Sequence, residues 1–147
     1  MSKSSDFYIS FKPELTPKKM LELGIFGGSY LGNTIKEFPH SWFIRAKISK
    51  TFNVKLNYFQ IRAGLSLKEW KKRGWIMKED PRGWFQWYCR YYNGRRMHEI
   101  DKIQISRWRA FGPRHIGGIK KNCKAGDYSC RIRQRQALLQ WAYNPFI

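Results

Sequence analysis

Over most of this chain the apolar positions recur at helical rather than alternating intervals. Trp84, Trp87, Tyr88 and Tyr91 follow the i, i+3, i+4, i+7 spacing of one helix face, and Phe85, Cys89 and Tyr92 line the adjacent face. A segment apolar around almost its whole circumference belongs in a core. Ile100, Ile103, Arg107, Trp108 and Phe111 are also helically spaced, and Gly112-Pro113 is expected to stop that helix. A last helix is expected from near Asp127 to about Tyr143, with Ile132, Leu139 and Ala142 on one stripe that Leu138 and Trp141 widen.

Terminal signals agree with this reading. Thr16-Pro17 opens a helix that Gly24 closes, because Thr caps the first turn and Pro lacks only an amide that would be unpaired there. Ser66 and Glu69 form a capping box with Gly74 at the stop position, which predicts a helix over 67–73. Asp80-Pro81 opens the aromatic helix and Asn93-Gly94 ends it. Between 51 and 62, Phe52, Val54, Leu56, Tyr58, Phe59 and Ile61 partly alternate, so an extended segment or a short hairpin is open there. The expected fold is mainly α, a single compact domain of several short helices over 13–147 behind a flexible segment 1–12.

Charge changes the picture next. The chain has 29 Lys and Arg against 10 Asp and Glu, a net +19 over 147 residues, while 42% of it is hydrophobic and 17% aromatic. That apolar content argues against a disordered basic tail, so the excess charge must sit on a folded surface. A polyphosphate is the expected neutraliser, since a duplex offers one negative charge per roughly 1.7 Å and releases counterions when bound. The basic residues differ in kind along the chain. Ten of the thirteen arginines follow residue 80, whereas the first part relies on lysine. Arg suits bidentate phosphate contact and stacking on bases, which puts the expected surface in the second part.

Four constellations follow from this. Arg90, Tyr91 and Tyr92, with Arg95 and Arg96 after the Gly94 turn, are expected to place guanidinium groups near phosphates and rings against unpaired bases. Arg107, Arg109, Arg114 and His115 cluster around Gly112-Pro113. Arg131, Arg133, Gln134 and Arg135 lie on the last helix, where no acid occurs from residue 128 onward. Arg can grip phosphate or guanine there, and Gln can pair with adenine. Lys68, Lys71, Lys72 and Arg73 give the Ser66-capped helix a solvated basic face.

The chemistry-bearing motifs are sparse. There is no phosphate loop, no H-E-x-x-H and no G-x-S-x-G element. His98, Glu99 and Asp101 are the only candidates for metal-assisted catalysis, against the simpler reading of an acidic first turn favoured by the helix dipole. Cys89, Cys123 and Cys130 are too few, and odd in number, for a secreted disulfide framework. They read as idle thiols in a reducing compartment, which places the protein inside a cell, in cytoplasm, nucleus or virion. Cys89, His115, Cys123 and Cys130 would form the one conceivable zinc site, but no closely spaced cysteine knuckle occurs, so no cofactor is expected. No apolar run is long enough to span a membrane.

Three segments, 15–31, 80–97 (DPRGWFQWYCRYYNGRRM) and 123–143 ending RQRQALLQWAY, resemble a family of short, basic, uncharacterised proteins of microbial and viral genomes. The resemblance implies no activity, cofactor or fold. The expectation from the residues is therefore a nucleic-acid-binding protein, for DNA or RNA, using an arginine-rich surface that contains aromatic rings. The alternatives are an enzyme acting on nucleic acid, as a metal-dependent nuclease or a base- or backbone-modifying enzyme, and a structural subunit of a ribonucleoprotein or virion.

Overall fold

The aromatic segment does form the central helix. In the computed structural model, which describes residues 7–147, helix α4 spans Trp84–Tyr92 and buries Trp84, Phe85, Gln86, Trp87, Tyr88 and Cys89. The polar atoms of its three buried amphipathic rings are all bonded. Trp84 Nε1 donates to the Gln104 carbonyl at 3.0 Å, Trp87 Nε1 to Asp101 at 2.8 Å, and the Tyr88 hydroxyl to the Leu15 carbonyl at 2.6 Å. These bonds make the burial of such rings tolerable, since an unpaired buried donor costs about 1–3 kcal/mol.

Around α4 pack α1 (Phe7–Ser10), α2 (Pro17–Leu23), α5 (His98–Asn122) and α6 (Ile132–Gln140), while α3 (Leu67–Lys72) is a short outlying turn. Thr16 accepts from the Lys19 amide and Ser66 from the Glu69 amide, as their capping positions predict, and Gly24 ends α2 at φ 107°. No strand occurs among the described residues. The 51–62 segment, open to an extended reading, instead forms a 3₁₀ turn at Val54–Leu56 and further turns. Buried amides fix it in place. Gln136 accepts from the Phe59 amide at 3.1 Å and donates to the Gly24 carbonyl, and Gln140 donates to the Ala63 carbonyl at 3.1 Å.

Four expectations are corrected. Helix α5 does not stop at Gly112-Pro113 but runs 25 residues through Pro113. A Tyr143 ring occupies the space where a side chain at residue 112 would be, and its hydroxyl donates to the Trp108 carbonyl beside the proline. Glycine is required there, and the proline ring lies on the exposed side. The last helix starts at Ile132 rather than near Asp127, because 123–130 is closed into a loop by a Cys123–Cys130 disulfide. That bond also overturns the reading of three idle thiols, and with it the cysteine argument for a reducing compartment. Finally, of the segment expected to be loose, residues 1–6 lie outside the described residues. The rest is folded: Phe11 is buried and meets Trp84, Trp87, Tyr88, Tyr91 and Trp108 with ring centroids 5.0–6.4 Å apart. Among the described residues no helix is long and apolar enough to cross a membrane.

Candidate functional site

The arginines expected to form one surface divide into two groups. Arg90 and Arg95 converge on Asp80, a fully buried carboxylate that accepts from them at 2.9 and 2.7 Å. Glu37 holds the remaining edge of Arg90 through two bonds of 2.6 and 2.8 Å. Hydrogen bonding from Arg90 pulls the Glu37 carboxyl below its ordinary range. These two cations are neutralised within the fold and are removed from the expected contact surface. Asp80 is not the helix opener that its place before Pro81 predicts. It stands before a turn closed by the Gly83 amide on its carbonyl, and α4 begins later, at Trp84.

Arg135 is withdrawn more completely. It is fully buried, and its guanidinium donates to the carbonyls of Cys130, Pro145, Ile147 and Asp127 at 2.6–3.0 Å while lying over the Tyr128 ring. No phosphate can reach it. Gln134 is half-buried with its amide against Gly118 of α5, and adding a Cβ to that glycine would place it 2.9 Å from Gln134 Nε2. It is no free reader of adenine. Arg107 is half-buried and donates to the Trp75 carbonyl and Gln104. Burial lowers its pKa, yet a guanidinium stays protonated at neutral pH. His115 packs on Phe111, and burial, then the adjacent Arg114, lowers its pKa, which disfavours the charged ring.

Arg96 sits at the end of the aromatic helix, exposed, with its guanidinium 3.6 Å from the Tyr91 ring centroid and bonded to the carbonyls of Tyr91 and Arg95. Tyr91 is thereby covered and is not a stacking platform. Tyr92 is 51% exposed and meets the Trp42 and Tyr88 rings edge-on.

Of the expected arginines, Arg109, Arg114, Arg131 and Arg133 are exposed with no side-chain hydrogen bond or ion pair among the described residues, and the first two belong to a basic face of α5. Along α5, Lys102, Arg109 and Lys120 lie close to one line, and Arg114 and Lys121 on a parallel one, given 3.6 residues per turn. Between the two rows lie Ser106, Ala110, Pro113 and Gly117, all exposed and all small or unable to donate through a long side chain. Asp101, Gln104, Ile105, Trp108, Gly112 and Ile119 occupy the opposite, buried face. From Lys102 to Lys121 the cationic rows run about 28 Å at 1.5 Å per residue. At the far end the disulfide holds Cys123 and Cys130 with Cα atoms 5.8 Å apart, so Lys121, Lys124 and Arg131 all lie within two residues of one covalent link. Arg131 and Arg133 are exposed beside it. Among the described residues none of these cations makes an ion pair, and between residues 102 and 147 Asp127 is the only acid.

Sequence reasoning missed Lys120 and Lys121 because it ended the helix at Pro113, and it passed over Lys102 and Lys124 because it looked for arginines. Continuation of the seven-residue spacing from Arg114 to Lys121, across a stretch free of acids, was the available signal.

The catalytic candidates do not form a centre. Asp101 is fully buried and accepts from the Tyr8 hydroxyl at 2.7 Å, the Trp87 indole and the Met97 amide. It organises the start of α5 and lacks a path to substrate. Burial, then the hydrogen bond to Asp101, raises the Tyr8 pKa in turn. Glu99 is exposed and contacts His98 at 3.2 Å. The four zinc candidates are not assembled either: Cys123 and Cys130 are bonded to each other and Cys89 is buried in α4. Among the described residues no group of three His, Cys, Asp or Glu is placed to hold a metal. No protein family, curated protein or solved structure matches the chain.

Proposed function

We propose that the protein binds nucleic acid through the exposed face of α5, gripping phosphates along two cationic rows and leaving base sequence largely unread. The observation that carries this is the unpaired row structure itself: Lys102, Arg109, Arg114, Lys120 and Lys121 on a solvent face with no acid among them. Five like charges along one helix repel one another, by an amount that solvent and salt reduce, and an anionic partner removes that cost. The small residues between the rows let a backbone approach closely, but they present few hydrogen-bond donors to base edges. Contacts to phosphate position a complex without specifying sequence, which matches this inventory.

The experiment is a salt-dependent titration of labelled duplex and single-stranded DNA and RNA with the protein and with a variant carrying Arg109→Gln, Arg114→Gln, Lys120→Gln and Lys121→Gln. For duplex DNA, the slope of log K against log salt should fall by about 0.9 for each phosphate that the variant no longer neutralises, roughly 3–4 for all four. Affinity should drop similarly across unrelated sequences. An unchanged slope, or binding to anionic vesicles without binding to any oligonucleotide, overturns the proposal.

A further inference from the structure

A second feature lies away from the α5 face. Between α3, the 51–66 turns and the start of α4 is a cavity of about 270 Å³. Its walls are aromatic: Phe26, Phe52, Trp70, Trp84 and Trp141 all line it. Ligand cavities for drug-sized molecules run from about 300 to 1,000 Å³, so this one suits a smaller ligand, on the scale of one heterocycle. It is open to solvent, with Phe52 46% and Leu65 46% exposed at its edge.

Its polar inventory narrows the ligand. Arg62 and Arg82 are its two ionised lining residues, and no carboxylate lines it. Arg82 is held by neutral oxygens, donating to the Tyr30 carbonyl at 2.9 Å and to Asn33 at 3.4 Å, while Arg62 lies over the Phe52 ring at 5.2 Å. Both charges are therefore uncompensated. Deeper in, Asn57 and Gln140 are 2% and 3% exposed. Each amide nitrogen makes one hydrogen bond as donor, Asn57 to the Ile61 carbonyl and Gln140 to the Ala63 carbonyl, which leaves each a second N–H. Flat apolar walls, spare buried donors and two unpaired guanidinium groups ask for a planar ring carrying acceptors and an attached anion.

We infer that this cavity binds one nucleotide, its base between the aromatic walls with ring acceptors toward Asn57 and Gln140, and its phosphate toward Arg62 and Arg82. Enzymes and binding modules that take up single bases use this combination of stacking and edge contacts. The nucleotide is either free or an unstacked unit of the strand held on α5. Only the second source rests on the function proposed above.

The test titrates the protein with AMP, reading tryptophan emission because Trp70, Trp84 and Trp141 line the cavity. Adenosine, ribose 5-phosphate and inorganic phosphate are run alongside. Saturable quenching by AMP is expected, with weaker quenching by adenosine and none by the other two. Arg62→Gln and Phe52→Ser, both at exposed positions, should each weaken AMP roughly tenfold, within the range for removal of one stacking partner, while leaving the melting temperature unchanged. Displacement of AMP by a single-stranded oligonucleotide, but not by its fully abasic analogue, identifies the strand as the source; no displacement by either identifies the free nucleotide. The inference is overturned if AMP, GMP, CMP and UMP all fail to quench saturably. Equal quenching by inorganic phosphate, or unchanged AMP binding in both variants, also overturns it. Salt-dependent oligonucleotide binding without mononucleotide binding removes the pocket and leaves the α5 reading standing, and the reverse result removes the α5 reading alone.

Discussion

Replacing Arg135 by methionine tests whether its guanidinium is a structural tie or a ligand for an anion. The side chain is fully buried, and four carbonyls depend on it. Methionine keeps much of the volume and removes every donor. Hydrogen bonds to a charged group contribute about 1.5–3 kcal/mol each, which would give a loss near 10 kcal/mol if all four simply vanished. The structure argues for far less. The Asp127 oxygen is on an exposed residue and the Ile147 oxygen on a partly exposed one, so both can turn to water. The bond to Pro145 is buried, and the Cys130 carbonyl is part-buried. Two poorly hydrated carbonyls at about 1–3 kcal/mol each cost about 4 kcal/mol in total. The variant is also spared the desolvation of a cation, which returns part of that loss. The net expectation is about 3 kcal/mol, or a fall in melting temperature of about 6–12 °C for a chain of this size. Thermal and urea unfolding followed by circular dichroism measure it. Arg133→Gln, at an exposed position two residues earlier, serves as the control and should lie within about 0.5 kcal/mol of the parent. A loss below about 1 kcal/mol in the methionine variant, or an equal loss in both, would refute the assignment of Arg135 to the core.

Other expectations follow from particular contacts. Because Arg90 depresses the Glu37 pKa below its ordinary 4.5, that pair's contribution is complete above that value and is lost as pH falls through the lower, folded value. Glu37→Gln should accordingly flatten the acid limb of stability against pH below about 4.5, and an unchanged limb would exclude the linkage. The protein denatured without reductant should titrate one thiol, Cys89, and three after reduction. Three in both conditions would mean that no disulfide forms. In the folded state Cys89 should resist thiol reagents at about pH 8, since burial raises its pKa well above 9.0. Gly112→Ala places a methyl group against the Tyr143 ring and should destabilise by about 1–3 kcal/mol, whereas Gly117→Ala meets nothing within 4 Å and should stabilise α5 by about 0.5–1 kcal/mol. Chemical denaturation of the pair checks both signs.

The central helix and the caps at Thr16 and Ser66 were legible because each rests on local physics: side-chain spacing on one helix, or one hydroxyl reaching an amide three residues on. The C-terminal end of α5 was not. Gly112-Pro113 carries the local signal of a stop, and only the distant Tyr143 ring, packed where residue 112 lacks a side chain, shows why the helix continues. The 51–62 turns depart from expectation for a related reason. Their partial alternation suggests an extended strand, but the amides that hold them come from Gln136 and Gln140 on α6, about eighty positions along the chain. Tertiary partners of this kind leave no periodicity near the segment they fix.

The fate of the arginines follows the same logic and decides where function can reside. Arg90, Arg95, Arg109, Arg114, Arg133 and Arg135 look alike in sequence, and the absence of nearby acids marks the last of them for an external anion. For Arg135 the inference failed because backbone oxygens, invisible in a residue count, can satisfy a guanidinium in place of carboxylates, and Asp127, Cys130, Pro145 and Ile147 supply four of them. For Arg90 and Arg95 it failed because Asp80, at least ten residues away in sequence, is shared between them. On the α5 face from Lys102 to Lys121 the backbone carbonyls are committed along the helix or exposed to water, and among the described residues none of the cations there makes an ion pair. Such a side chain has no intramolecular partner to gain, so an anion brought from outside is the one change that improves its electrostatics. That condition is met along α5; at the aromatic cavity Arg62 and Arg82 have an aromatic ring and neutral oxygens for partners but no carboxylate, and the two proposals rest on those two places.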